Sequence, residues 1–236
     1  VAVVIPAHDE EALIGRCLAS VTRAVAHARE REPDLVTATV VVLDACTDTT
    51  APQARRWPVE TVEITARRVG TARRIGIARA LSSLDANPHD TWISMTDADT
   101  VVPRDWITHQ LDLMEAGIDL VLGTVRPDFA DLSARHAAYW RATHHRGRPP
   151  GNVHGANLGL RASVYAEAGG IPDLVEHEDV ALVRAVRALG AHERASDVHE
   201  VETSGRFTGR TPGGYAAFLA RVHAWVDAPP LAAPGA

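Results

Sequence analysis

Five short apolar runs punctuate the first 125 positions, and each is closed by polar or turn-forming residues. They are Val1 to Ile5 (VAVVI), Thr39 to Leu43 (TVVVL), Val59 to Ile64, Thr91 to Thr96 and Leu120 to Val125. All are too short for helices, and the first two are β-branched and almost wholly apolar, which predicts strands buried on both faces of a parallel sheet. Segments with helical spacing lie between them. Asp9, Glu10 and Glu11 predict a helix start, where acids suit the positive end of the helix dipole, with Leu13, Leu18 and Val21 as its apolar face. Gly70 to Leu84 predicts another helix, with Ile75, Ala78 and Leu81 on one side. Strands alternating with helices predict an α/β fold, with helices on both faces of a mostly parallel sheet.

The second half is less regular. Leu132 to Ala142 and Val180 to Leu189 read as helices, and residues 144 to 155 (HHRGRPPGNVHG) read as a long loop of the kind that carries function. PPLAAPGA, from Pro229, reads as a disordered tail. The expectation is one domain over residues 1–228, its donor half about 1–126 and its acceptor half about 127–228. No internal repeat is visible.

Composition narrows the class. Of 236 residues, 46% are apolar, enough for a large core, and the net charge of −6 argues against a nucleic-acid partner. Cys17 and Cys46 show neither metal spacing nor a disulfide framework, which points to a reducing, cytoplasmic compartment. No run approaches the roughly 20 apolar residues that span a bilayer, and no secretory signal is visible. Contact with a membrane surface stays open, as does the oligomeric state.

The chemistry gathers at strand ends. The first strand ends in PAHDEE, the second in DACTD and the fourth in DAD. Ligands of open α/β sheets bind beyond the carboxyl ends of the strands, so Pro6 to Glu10, Asp44 and Asp97 to Asp99 can converge on one crevice. Taken singly, Asp9 and Asp48 also read as caps or turn residues. In an extended chain Asp97 and Asp99 point to the same side and repel each other. A divalent cation relieves that repulsion, and magnesium and its relatives favour one or two carboxylates plus phosphate oxygens. Neither G-x-G-x-x-G nor G-x-x-x-x-G-K-[ST] occurs, which disfavours dinucleotide oxidoreductases and P-loop kinases. Phosphate charge then falls to metal and to basic residues such as Arg73 or Arg74. Glu178 and Asp179 begin a helix, and a carboxylate there can serve as a helix-end charge or as a general base.

Together these segments resemble the family 2 glycosyltransferases, with the GT-A fold. VVIPAHDEEALIGRCLASV is similar to the family's opening strand and helix, VVLDACTDTT to its second strand and acidic turn, and TDADTVVPRDWI to its D-x-D segment. GANLGLRASVYAEAGGIPDLVEHEDVAL is similar to its acceptor-side segment, and the resemblance spans roughly residues 1 to 190. It implies a nucleotide diphosphate sugar donor, an acceptor hydroxyl and a divalent metal, Mg²⁺ or Mn²⁺. It places Pro6, Ala7, His8, Glu10, Asp44, Arg73, Asp97, Ala98, Gly155, Ala156 and Asn157 at the donor. It makes Asp99, with Asp97, the metal ligands and Asp179 the base, and lets Glu178 shape the acceptor side. His8 stands where Tyr is frequent, Arg74 where Asn is, and Leu43 where the first acid of the second segment is usual. His199 and His223 are candidates for a third metal ligand. Arg206 and Arg210, in TSGRFTGRTPGGYAAFL, are candidates for facing phosphates or an anionic acceptor. The implied reaction is a single inverting displacement, with uridine diphosphate expected as the carrier because Asp44 can accept the uracil N3–H. A nucleotidyltransferase and a non-catalytic sugar-nucleotide-binding module are the rivals. The polymer-making branch's transmembrane helices and Q-x-x-R-W segment are absent from the sequence.

Overall fold

A computed structural model describes residues 1–147, 149, 151–174, 176–209 and 213–227. Among these residues eight strands form one sheet, in the order β3-β2-β1-β4-β7-β6-β8-β5. They are β1 (Ala2–Ala7), β2 (Ala38–Asp44), β3 (Glu60–Ile64), β4 (Trp92–Met95), β5 (Thr100–Val101), β6 (Leu120–Pro127), β7 (Leu158–Arg161) and β8 (Glu193–Thr203). The pairs β1/β2, β1/β4, β2/β3 and β6/β8 are parallel, whereas β4/β7, β6/β7 and β5/β8 are antiparallel. The helices are α1 (Ile14–Arg31), α2 (Thr50–Ala54), α3 (Val69–Leu84), α4 (Trp106–Glu115), α5 (Ala134–Thr143), α6 (Ala162–Glu167), α7 (Glu178–Ala188) and α8 (Tyr215–Val226). Among the described residues no helix is long and apolar enough to cross a membrane.

β1 divides its side chains between two cores, as strand alternation requires. Val3 and Ile5 face α1 and α4, joining Ile14, Leu18, Val21, Trp106 and Ile107. Ala2 and Val4 face α3 and α7, joining Ile77, Ala80, Leu182, Val183 and Val186. Burying each large aliphatic side chain stabilises the fold by about 1.5–3 kcal/mol.

Two helix readings need correction. α1 starts at Ile14, not at the acids, because Asp9 takes a left-handed φ of 49° and Glu10 instead lends its carbonyl to the N–H groups of Leu13 and Ile14. α3 buries Gly70, Ala72, Arg73, Gly76, Ile77, Ala80 and Leu84, not the face of Ile75, Ala78 and Leu81. Small residues win because α3 lies tight against the sheet: a Cβ on Gly76 would stand 2.9 Å from Val42 Cγ2 and closer still to Val4. The other helices fall near expectation, α5 capped by Ser133 and α7 beginning at Glu178. Between α5 and the short 3-10 turn Gly155–Asn157, the described residues form no helix or strand. The tail from Pro229, and Arg210, lie outside the described residues.

Candidate active site

The crevice is built from the turn after β1, the loop after β2, the turn between β4 and β5, the start of α7 and the segment after β8. The first two interlock. Asp9 accepts from the backbone N–H of Thr47 at 2.7 Å, Glu11 from that of Thr49 at 3.0 Å, and Thr50 Oγ1 from that of Glu10 at 2.7 Å. His8, half-buried, sets Nδ1 2.6 Å from the Asp44 carbonyl oxygen. The acids after β1 are therefore spent mainly on holding loops, and Glu10 alone turns inward, 7% exposed.

Asp44 is committed elsewhere than expected. Its carboxylate accepts the backbone N–H groups of Arg67 and Arg68 at 2.7 and 2.8 Å, and the residue is 4% exposed. It fixes the entry to α3, and the argument that it reads uracil loses its support.

Asp97 and Asp99 do not share one side of an extended strand. β4 ends at Met95, and a turn closed by Thr100 N–H to the Asp97 carbonyl sends the two carboxylates to different partners. Asp97 accepts from Arg73 Nη2 at 2.6 Å. Asp99 accepts from Thr203 Oγ1 at 3.1 Å and pairs with Arg206 Nη2 at 3.0 Å. Burial, together with the nearby charges of Asp97 and Glu10, pushes the Asp99 carboxyl up to about 6, while Arg206 works in the opposite direction.

Arg73 is a buried strut rather than a phosphate hand. It is 4% exposed and joins Asp97 to Glu178, itself 3% exposed. Burial works against its charge, but the carboxylates of Asp97, Glu178 and Asp179 outweigh it and hold the guanidinium protonated. Gly155 makes the room: a Cβ there would run into the Arg73 guanidinium. The neighbouring Asn157 is likewise structural. It accepts from Trp106 Nε1 at 2.8 Å and donates to the carbonyls of Thr124 and His199. Its amide thus ties α4 to β6 and β8 instead of facing a donor.

Asp179 sits half-exposed at the start of α7. Its oxygens accept the N–H of Gly155 at 2.9 Å and that of Val180 at 2.8 Å. Among the described residues no cation pairs with it. Glu10 and Asp99 share Arg206, and Asp97 and Glu178 share Arg73.

The histidines considered as further metal ligands lie elsewhere. His199 Nδ1 is 3.4 Å from Asp105 and its ring meets His109 edge-on, while His223 pairs with Asp227 and stacks on Phe207. Among the described residues no group of three His, Cys, Asp or Glu side chains is arranged to hold a metal alone. The crevice nevertheless gathers five carboxylates (Glu10, Asp97, Asp99, Glu178 and Asp179) against the two guanidinium groups of Arg73 and Arg206. That acidic excess fits a divalent ion whose shell is completed by phosphate oxygens and water.

Sequence reasoning left Arg206 between two roles and missed its partners. Its guanidinium holds Glu10 through two bonds, at 2.8 and 2.6 Å, across 196 positions of chain, a contact that no local pattern signals. Thr203, whose hydroxyl reaches Asp99, was also missed.

Comparison with known proteins agrees with the fold. The model of glycosyl transferase family 2 matches residues 2–167. No curated protein matches the chain in sequence. Among solved structures, a mannosyltransferase from Pyrobaculum calidifontis in complex with GDP-Man and Mn²⁺ superposes with a TM-score of 0.63 at 20% identity, over 88% of this chain and 57% of that one. TarS of S. aureus (residues 1–349) in complex with UDP gives 0.60 at 14% identity, over 86% and 60%. Glucosyl-3-phosphoglycerate synthase from Mycobacterium tuberculosis, with Mg²⁺ and UDP, gives 0.57 at 17% identity, over 94% and 77%. The chain thus spans about three fifths of the first two, and the likeness in each case is one of fold. With the family model covering most of its length, the chain belongs to glycosyl transferase family 2.

Proposed function

We propose that the chain transfers a sugar from a nucleoside diphosphate sugar to an acceptor hydroxyl, with Asp179 as the general base and with inversion at the sugar carbon. The observation that carries this reading is the contrast among the five carboxylates of the crevice. Four are ion-paired, two to each arginine, whereas Asp179 is aimed by two backbone N–H groups and makes no ion pair among the described residues. A carboxylate has about four lone-pair sites, so two accepted bonds fix its orientation and still leave room for a proton. The Arg73 strut holds Asp97 and Glu178 on the adjoining wall, so the base and the acid turn keep a fixed relation.

Asp97 and Asp99 would hold a divalent metal together with the donor's phosphate oxygens, and the metal would supply Lewis-acid stabilisation of the leaving diphosphate. Asp179 takes the acceptor proton as the hydroxyl oxygen attacks from the face opposite the leaving group. One displacement of that kind inverts the centre. Nucleotides bound by the fold relatives, GDP-Man in one and UDP in two, support a nucleoside diphosphate carrier. With Asp44 occupied by Arg67 and Arg68, uridine is one base to test beside guanosine.

Calorimetry with UDP and GDP in Mn²⁺, followed by a panel of nucleotide sugars assayed for metal-dependent hydrolysis, tests the reading. The expected result is metal-dependent binding that is lost in Asp99→Ala, and slow turnover of one sugar nucleotide. Binding without turnover of any sugar, even with acceptors supplied, would leave a binding module and remove the enzyme.

A further inference from the structure

We infer that Arg206 is the resident counter-ion of the metal site: its guanidinium neutralises Asp99 when no metal is bound and passes to the donor diphosphate when a metal takes Asp99. The inference rests on the function proposed above.

The geometry separates an anchor from an exchangeable contact. Arg206 holds Glu10 through Nη1 at 2.8 Å and Nη2 at 2.6 Å, a bidentate pairing of the strong kind. Its link to Asp99 is a single contact of 3.0 Å from that same Nη2. Glu10 and Asp99 are largely buried, with side chains 8% and 15% exposed, so neither is satisfied by water alone. One guanidinium between two carboxylates leaves one negative charge over.

A divalent ion on Asp99 Oδ2 would repel the guanidinium whose nitrogen lies 3.0 Å from that oxygen and would draw off the carboxylate charge that holds it. Metal binding therefore weakens this contact and favours its release. The Glu10 anchor keeps the freed group at the crevice edge, where a guanidinium's remaining N–H donors match phosphate oxygens. The backbone allows the shift. Arg206 follows the end of β8 at Thr203 and belongs to no helix or strand. Among the described residues its own N–H bonds Ser204 Oγ, at 3.3 Å, and no strand, so the sheet is not disturbed. Thr203 and Thr100 keep Asp99 Oδ1 in place throughout, at 3.1 and 3.3 Å.

Two measurements on the full chain test the exchange. Binding of Mn²⁺ alone, followed by electron paramagnetic resonance, reads the competition, and calorimetry of UDP or GDP at saturating Mn²⁺ reads the transfer to phosphate. Arg206→Gln should tighten Mn²⁺ alone and weaken the nucleotide, each by about tenfold, the scale of one charge-assisted hydrogen bond. Glu10→Gln, which leaves Arg206 to Asp99 alone, should weaken Mn²⁺ alone. A latch that only ties the turn after β1 to the segment after β8 would leave Mn²⁺ affinity unchanged or lowered in Arg206→Gln, and that result overturns the exchange. If the unmodified chain binds neither Mn²⁺ nor a metal–nucleotide pair, the proposed function falls first and the exchange with it.

Discussion

Where α1 and α3 sandwich β1 and β2, the interior is aliphatic and closed: Ile5, Ile14, Leu18, Val41, Val42 and Ile77 are at most 1% exposed. Where α5 meets α8, it is built of rings. His136 stacks on Phe207 at 5.9 Å, Phe207 on His223 at 4.5 Å, and Tyr139 meets Trp225 edge-on at 5.2 Å, while Trp225 remains 69% exposed. His136 is wholly buried, and neither of its ring nitrogens has a hydrogen-bond partner among the described residues. The first region has little freedom to rearrange, because close-packed aliphatic cores transmit strain. The second carries an uncompensated polar cost, and flat rings can slide over one another with less loss of contact. The acid turns of the crevice follow β1 and β4, on the aliphatic side.

The comparison can be sharpened by substitution. The largest effect is expected in the crevice: Asp179→Asn keeps the shape and an acceptor for one of the two N–H groups but loses proton acceptance. Transfer should fall by roughly 10²–10⁴-fold with donor affinity nearly unchanged, and near-normal turnover with a working acceptor would remove Asp179 from the mechanism. Glu178→Ala leaves the buried Arg73 guanidinium to Asp97 and removes one buried charge-assisted bond, which should cost about 1.5–3 kcal/mol in urea unfolding. A loss no larger than that of an exposed pair such as Arg104–Glu30 would mean that water reaches the strut.

Gly76→Ala probes the rigid side directly. The added methyl meets Val4 and Val42 across a helix–sheet contact that has no slack, so about 1–3 kcal/mol should be lost. A neutral result would show that α3 can lift off the sheet. His136→Phe probes the ring-built side and has the smallest expected effect, a gain of about 1 kcal/mol from removing an unpartnered polar ring. Burial, helped by the His223 ring, lowers the His136 pKa below its ordinary 6.5. The unfolded chain then binds more protons than the folded one below about pH 6.5, so stability is lost as pH falls through that range. The Phe variant should show a shallower fall in Tm between pH 7 and 5, and an identical slope would refute the assignment.

What was legible in the sequence follows the same division. Local hydrophobic patterning located β1, β2, β3, β4 and β6, since each is a run of residues that bury themselves irrespective of neighbours. It also marked the acid turns, because acidic residues follow the apolar runs directly. β5, β7 and β8 escaped. Two of these are only two and four residues long, and β8 (ERASDVHEVET) is polar enough to hide its strand character, being recruited by pairing with β6. The face of α3 was misread because Ile75 and Leu81 outweigh Gly76 on any hydrophobic scale, although the sheet selects for smallness there. At the site, residue types were readable and partners were not: the roles of Arg73, Asn157 and Arg206 depend on groups 24 to 196 positions away.

The last of those separations has a consequence for the nascent chain. Asp99 leaves the ribosome more than 100 residues before Arg206 and Thr203. At about 5–20 residues per second, the acid turn waits roughly 5–20 seconds for its counter-charge. β5 waits equally long for β8, its partner in the sheet among the described residues. Translation as far as Asp99 therefore leaves a sheet edge and the carboxylates of Glu10 and Asp99 bare, and the crevice is assembled only when Thr203 and Arg206 arrive.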